Sequence, residues 1–184
     1  FHSRILAEKF FRLNNIPESF FSDILPVIEN HDRKDYNTDN NPFPPASVLA
    51  VADDLDAFGF TGIYRYSEIY LARGVPYDSL GDMVLENASK RFDNLIRLFG
   101  CHTQLVRKHE DRFLILKDFF LRYNKEASPP SSGKATVHQD IIRSLENILN
   151  ERTPLLLFCT SRLEDSTDPD VIRFFEGLLG ELQG

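Results

Sequence analysis

The sequence predicts an all-α protein, and three observations support this prediction. Apolar residues recur at three- and four-residue spacing along most of the chain, as they do on one face of a helix. No segment alternates apolar and polar residues over the length of a strand. Hydrophobic residues make up 42% of the 184 residues, which is enough to build a sizeable core in a single domain.

Four helices are predicted in the N-terminal part of the chain. The first is capped by Ser3 and ends at Asn14, where the apolar stripe stops. The second follows Pro17, a residue that a first helical turn tolerates, and Pro26 is expected to kink or divide it. The remaining segments are a loop with three prolines and two further helices, over about 32–45, 46–57 and 63–73.

Two long helices and a C-terminal group of shorter ones complete the prediction. Gly100 makes a short turn between two long amphipathic segments, which predicts an antiparallel pair. The stretch 124–135 is rich in Ser and Pro and is predicted to be a linker, while the apolar run 155–158 is too short to assign. The predicted helices cover about 78–99, 102–123, 137–148 and 170–182. The predicted division is a helical domain over 1–125 and a helical extension over 126–184 packed on it.

The composition argues against several classes of function. With 21 Lys and Arg against 28 Asp and Glu, the net charge is −7, which argues against binding to a nucleic-acid polymer or a membrane surface. No apolar run approaches the ~18 residues of a membrane span. The two cysteines, Cys101 and Cys159, are too few for a disulfide framework and indicate a reducing compartment such as the cytoplasm.

The segment 52–59, Ala-Asp-Asp-Leu-Asp-Ala-Phe-Gly, holds three acids on an otherwise apolar helix. At helical spacing Asp53 and Asp56 share a face, while Asp54 is rotated by about 100° from Asp53. Because apolar residues flank these acids, we expect at least one carboxylate to be half-buried and to need a cation, a donor or a metal. A solvated helix end with an internal cap is the alternative interpretation.

Histidines in the first two predicted helices add metal-ligating groups. His2 lies on the first helix, and His31-Asp32 closes the second. If these helices pack antiparallel, both histidines reach the same end of the pair. Imidazole and carboxylate are ligands that divalent Mn, Fe, Mg and Zn accept, although a single histidine near a helix end is more often a cap or a surface residue. His102 and His109 lie two turns apart, where a solvated face is favoured over a second metal site.

The order His2, His31-Asp32, Asp53 is similar to the H…HD…D signature of the HD-domain metal-dependent phosphohydrolases. More specifically, the run 52–65, Ala-Asp-Asp-Leu-Asp-Ala-Phe-Gly-Phe-Thr-Gly-Ile-Tyr-Arg, resembles the A-D-x-L-D-A-x-G-x-x-G-I-x-R block of a subgroup of small bacterial HD hydrolases. The resemblance covers about residues 1–75 and continues weakly to Leu80. It implies an HD-like helical bundle, followed here by a C-terminal helical extension.

Two alignments with this family remain open. In the first, His31-Asp32 is the HD pair, although Arg33-Lys34 replaces the usual continuation H-D-x-G-K and the interval to Asp53 is short. In the second, the segment 27–32, Val-Ile-Glu-Asn-His-Asp, matches a helix that ends in I-x-x-H ahead of the block. His31 is then a later site histidine and His2 an auxiliary one. The first histidine and the HD pair would lie upstream of Phe1, and we favour this alternative because the sequence begins inside a predicted helix.

The resemblance implies a divalent-metal-dependent phosphohydrolase that acts on a small phosphoester, such as a nucleotide. Asp53 and His31 belong to the catalytic site in both alignments. A bound Mn, Mg, Fe or Zn ion would lower the pKa of a bound water and polarise a phosphoryl oxygen. The implied metal ligands are His2, His31, Asp32 and Asp53.

A phosphoester also needs a cation for its non-bridging oxygens. Arg65 is the leading candidate because its guanidinium fork suits phosphate, and Arg33 and Lys34 are the others. Asp56 is expected either to orient a metal ligand from behind it or to hold Arg65, with a surface ion pair as the alternative. The contrasting hypothesis is a non-catalytic helical binding or regulatory module with a degenerate HD site. The oligomeric state is open, a homo-oligomer included.

Overall fold

The computed structural model describes residues 2–30, 36, 44–127, 136–151 and 153–184, with the backbone alone at 127 and 149–151. Every regular element within these ranges is helical, which confirms the all-α prediction. No helix in the described ranges is both long and apolar enough to cross a membrane. The helices are α1 (His2–Leu13), α2 (Ile24–Glu29), α3 (Pro45–Leu55), α4 (Gly59–Ala72), α5 (Tyr77–Phe99), α6 (Thr103–Ala127), α7 (Val137–Glu151), α8 (Leu155–Asp165) and α9 (Pro169–Gln183).

Helices α1 and α2 form an antiparallel hairpin, the arrangement considered for the two helices that carry His2 and precede His31. Arg4 near the start of α1 donates to Glu29 at the end of α2 over 2.8 Å, and the rings of Phe11 and Phe21 stack 4.9 Å apart. The predicted second helix is divided into a 3-10 turn, Glu18–Phe20, and α2. The interruption lies at residues 21–23 and not at Pro26, where the kink or division was expected. Pro26 itself lies in the first turn of α2, where the missing N–H costs no hydrogen bond.

Helices α5 and α6 form the predicted antiparallel pair. The rings of Phe92 and Phe113 stack 4.5 Å apart near its middle, and Asn124 donates to Asp82 over 2.6 Å near its end. Helix α6 continues to Ala127, past the predicted end at 123, because contacts with α5 persist there. The first four residues of the predicted linker, 124–127, thus belong to α6, and the rest of it, 128–135, lies outside the described residues.

Helices α7 to α9 share one core with α4 to α6. Helix α7 packs on α4 and α6, and α9 packs on α4, α7 and α8. The unassigned apolar run 155–158 proves to be the start of α8. The predicted division after residue 125 falls inside α6. Fully buried apolar side chains come from both sides of that division: Phe58, Ile63, Leu80, Val84, Leu95, Leu116, Phe120, Ile142, Phe175 and Leu178.

Candidate functional site

The three acids at the end of α3 lie in three different environments. Asp54 is buried, with 1% of its surface exposed, whereas Asp53 is half-buried and Asp56 is exposed at the C-cap position. This difference follows from the ~100° rotation between successive helical residues, which turns Asp54 toward α5. We expected at least one of these carboxylates to be at least half-buried and to have a partner. This expectation is confirmed, and the buried acid is Asp54.

Asp54 is neutralised by a cation and a hydroxyl donor. Arg91 of α5 donates to Asp54 Oδ1 over 2.8 Å, and the Tyr36 hydroxyl donates to Asp54 Oδ2 over 2.6 Å. Arg91 also donates through Nε to Asn87 over 2.8 Å and lies over the ring of Tyr66. Burial, followed by the hydrogen bond to Asp54 and its charge, raises the pKa of Tyr36, so this hydroxyl remains a donor at neutral pH. Asp54 thus serves the packing of α3 on α5.

Asp56 forms an ion pair with Arg65, which fits both the expected role of holding Arg65 and the alternative of a surface ion pair. Arg65 Nη1 lies 3.0 Å from Asp56 Oδ2, and the two side chains are 40% and 68% exposed. An exposed ion pair of this kind stabilises a fold by less than about 1 kcal/mol. An anion of higher charge, such as a phosphate, can therefore compete for the Arg65 guanidinium.

The start of α4 is fixed by a carboxylate from the C-terminal helix. Glu181 of α9 accepts hydrogen bonds from the backbone N–H groups of Phe60 over 3.2 Å and Thr61 over 2.9 Å. Gly59 has a φ of 72°, and a Cβ there would overlap the Glu181 carboxylate. Because this cap comes from a distant helix, α4 begins at Gly59 rather than at the predicted residue 63.

Arg112 of α6 holds the connection between α3 and α4 from the other side. It donates to the carbonyl oxygens of Leu55 over 3.0 Å and Phe58 over 2.8 Å, which satisfies acceptors left at the end of α3. Its Nη2 also lies 3.4 Å from Glu181 Oε2. Arg112 and Glu181 together fix the backbone between Asp53 and Arg65.

His109 departs from the expectation of a solvated face, whereas His102 is exposed. His109 is buried and its Nδ1 lies 3.4 Å from Arg112 Nη1. Burial, followed by the charges of Arg112 and Lys108, lowers the pKa of His109. The expectation was wrong because Phe113, one turn further on, packs against Phe58 and draws this face of α6 into the core.

The predicted metal ligands are only partly described. His2 is exposed at the start of α1, and the Arg4–Glu29 ion pair sets that start beside the end of α2. His31, Asp32, Arg33 and Lys34 lie outside the described residues. Within the described ranges no group of three or more His, Cys, Asp or Glu side chains could hold a metal ion.

Three charged residues that organise this region escaped the sequence-based prediction: Arg91, Arg112 and Glu181. Each occupies a position of a buried helical stripe, for example Arg91 between Ala88 and Leu95. A charge inside an apolar stripe needs a buried partner, so the spacing was a usable signal.

Comparison of the chain with known proteins found no matching family model, no similar curated protein and no similar solved structure.

Proposed function

We propose that the chain is a divalent-metal-dependent phosphohydrolase that acts on a small phosphoester such as a nucleotide. The supporting observation is the separation of roles within the acid cluster. Asp54 forms the buried ion pair with Arg91, whereas the position that the resemblance assigns to a metal ligand is its neighbour Asp53. Asp53 also shares a helix face with Asp56, which holds Arg65. A carboxylate and a guanidinium, a group suited to phosphate, thus lie at the same end of α3.

Arg65 binds the non-bridging oxygens of the phosphoester through its guanidinium fork. Asp56 orients that fork before the substrate arrives. Arg112 and Glu181 keep the backbone between Asp56 and Arg65 rigid. Asp53 supplies one carboxylate ligand, and His31 is the proposed imidazole ligand.

The test combines metal analysis with a panel of phosphomonoesters, phosphodiesters and nucleotides, each assayed with Mn²⁺ and Mg²⁺. Asp53→Ala is expected to remove both bound metal and hydrolysis while leaving the helical circular dichroism unchanged. His31→Ala is expected to lower hydrolysis by more than about twofold. Asp165→Ala, an exposed aspartate on α8, is the matched control and should behave as the parent. Unchanged metal stoichiometry and turnover in a folded Asp53→Ala protein would refute the proposal.

Titration calorimetry with Mn²⁺ separates the two alignments. If His31-Asp32 is the HD pair, the 184-residue chain holds H…HD…D and should bind Mn²⁺ tightly at one site that needs His2 and Asp53. If the HD pair belongs to residues upstream of Phe1, the same chain should bind weakly and hydrolyse little.

A second candidate function is a non-catalytic binding or regulatory module with a degenerate site. The observation in its favour is that no group of three potential ligands converges in the described part of the chain. If neither the 184-residue chain nor a longer product of the same gene binds a divalent ion or hydrolyses any member of the panel, this candidate is supported over the hydrolase; activity restored in the longer product supports the hydrolase.

A further inference from the structure

A cavity of about 390 Å³ lies between α4, α6, α7 and α9, and it takes no part in the proposed hydrolysis. Its walls are largely apolar, with Leu114, Ile115 and Ile141 among them. Three phenylalanine rings form its aromatic part. The rings of Phe60 and Phe174 meet edge to face at 5.8 Å, and the ring of Phe119 lies 5.5 Å from that of Phe174. The volume falls in the range of pockets for small organic molecules.

His138 is the buried polar side chain in the wall of this cavity. Its Nδ1 lies 2.7 Å from Glu126 Oε1. The other oxygen of Glu126 accepts hydrogen bonds from the backbone N–H groups of His138 and Gln139, at 2.9 and 3.1 Å, at the start of α7. A carboxylate that is fixed in this way accepts from Nδ1, so the neutral imidazole carries its proton there and Nε2 is left as an acceptor. Nε2 has no hydrogen bond to any described residue.

The charges at the cavity mouth favour a positive ligand. Asp111, Asp118 and Asp170 contribute three carboxylates, against the two guanidinium groups of Arg122 and Arg173. Arg122 is already paired with Asp118 over 2.9 Å. An acceptor nitrogen inside, an excess of carboxylate outside and three aromatic rings all attract a cation that carries N–H groups.

We propose that this cavity binds a small organic ammonium compound with a flat apolar body. The apolar body packs against Phe60, Phe119 and Phe174, and an ammonium N–H donates to His138 Nε2. Asp111 and Asp170 supply the compensating charge at the mouth. This proposal uses neither Asp53 nor Arg65, so it stands whether or not the protein is a hydrolase.

The test is a ¹⁵N–¹H NMR titration with 2-phenylethylamine and two molecules of similar shape, 2-phenylethanol and phenylacetate. The amine is expected to bind saturably, with backbone shifts confined to the parts of α4, α6, α7 and α9 that line the cavity. Its Kd should be lower than that of the alcohol by about tenfold or more. The proposal is overturned if the amine does not bind, or if the alcohol or the acid binds as tightly.

Three variants examine the parts of the site. Leu114→Trp fills the cavity from its exposed rim and should abolish binding of 2-phenylethylamine, and Asp170→Asn should weaken it. His138→Leu removes the acceptor and should weaken binding by about tenfold. Ile96→Trp, an exposed residue on α5, is the matched control and should leave the Kd unchanged. If His138→Leu fails to fold, the proposal is judged from Leu114→Trp and Asp170→Asn alone. Binding of the amine that survives Leu114→Trp refutes the site.

Discussion

Replacing Arg91 by leucine tests whether Asp54 is a structural carboxylate. Arg91 Nη1 lies 2.8 Å from Asp54 Oδ1, and the two side chains are 27% and 1% exposed. Removal of one partner from a buried pair costs about 3–5 kcal/mol, because the other charge stays buried without compensation. The Tyr36 hydroxyl still donates to Asp54 in the variant. We therefore expect the free energy of unfolding to fall by about 3 kcal/mol, the low end of that range.

The reciprocal change, Asp54→Asn, should cost less. Asparagine keeps the size of the side chain and an acceptor for Tyr36, and Arg91 remains partly hydrated and bonded to Asn87. We expect a loss of about 1.5–2 kcal/mol, the low end of the range for one hydrogen bond to a charged group. The double variant should lose less than the sum of the two single losses, because the second change removes a partner that is already missing.

The measurement is urea unfolding at pH 7, followed by circular dichroism. Lys90→Leu is the control on the same helix, since Lys90 makes only an exposed ion pair with Glu86, and it should change the unfolding free energy by less than about 0.5 kcal/mol. An Arg91→Leu protein as stable as this control would show that Asp54 does not depend on Arg91. A larger loss in Asp54→Asn than in Arg91→Leu would reverse the assignment of the buried charge.

The remaining predictions concern the α4 cap and two buried titratable groups. Glu181→Ala removes the acceptor of the Phe60 and Thr61 N–H groups, so hydrogen exchange at these two amides should accelerate and stability should fall by about 1–2 kcal/mol; unchanged exchange would contradict the cap. Burial raises the pKa of Tyr123 to about 12, above the unfolded value near 10, so this tyrosine contributes stability that is lost as pH rises from 10 toward 12. In Tyr123→Phe the alkaline loss of stability should be shallower by up to about 1.4 kcal/mol per pH unit, and equal slopes would refute this. Burial lowers the pKa of His109, so its contribution is present above about pH 6.5 and is lost as pH falls further. Urea midpoints at pH 7.5 and pH 5 should therefore differ less in His109→Gln than in the parent, and the idea fails if they differ equally.

Most of the helices could be predicted because their signals are local. The apolar stripes of α5 and α6 and the turn at Gly100 predicted an antiparallel pair, which is confirmed. The start of α4 could not be found in this way, because its cap is the Glu181 carboxylate, 120 residues after Thr61. Helix α8 was missed for a different reason, since four apolar residues fit either a helix or a strand.

In the candidate site, too, the features that depend on residues distant in the sequence could not be predicted. The composition of segment 52–59 was enough to predict a buried acid with a partner, because an unpaired buried carboxylate costs too much free energy. Which of the three acids is buried depends on Arg91, 37 residues beyond Asp54. A single sequence does not reveal that pairing, although the arginine in the apolar stripe of α5 indicated that some pairing exists. Whether Asp53 and His31 share a metal ion stays a prediction.

The long-range cap on α4 also has a consequence for the order of folding. During synthesis the segment 52–65 leaves the ribosome long before Glu181. The first N–H groups of α4 therefore cannot bind their acceptor until the rest of the chain has been made. Closing a loop of this length costs entropy before any contact rewards it. The segment that resembles a catalytic motif should therefore be among the last parts of the protein to become rigid. Nascent chains released before α9 should hold it only loosely.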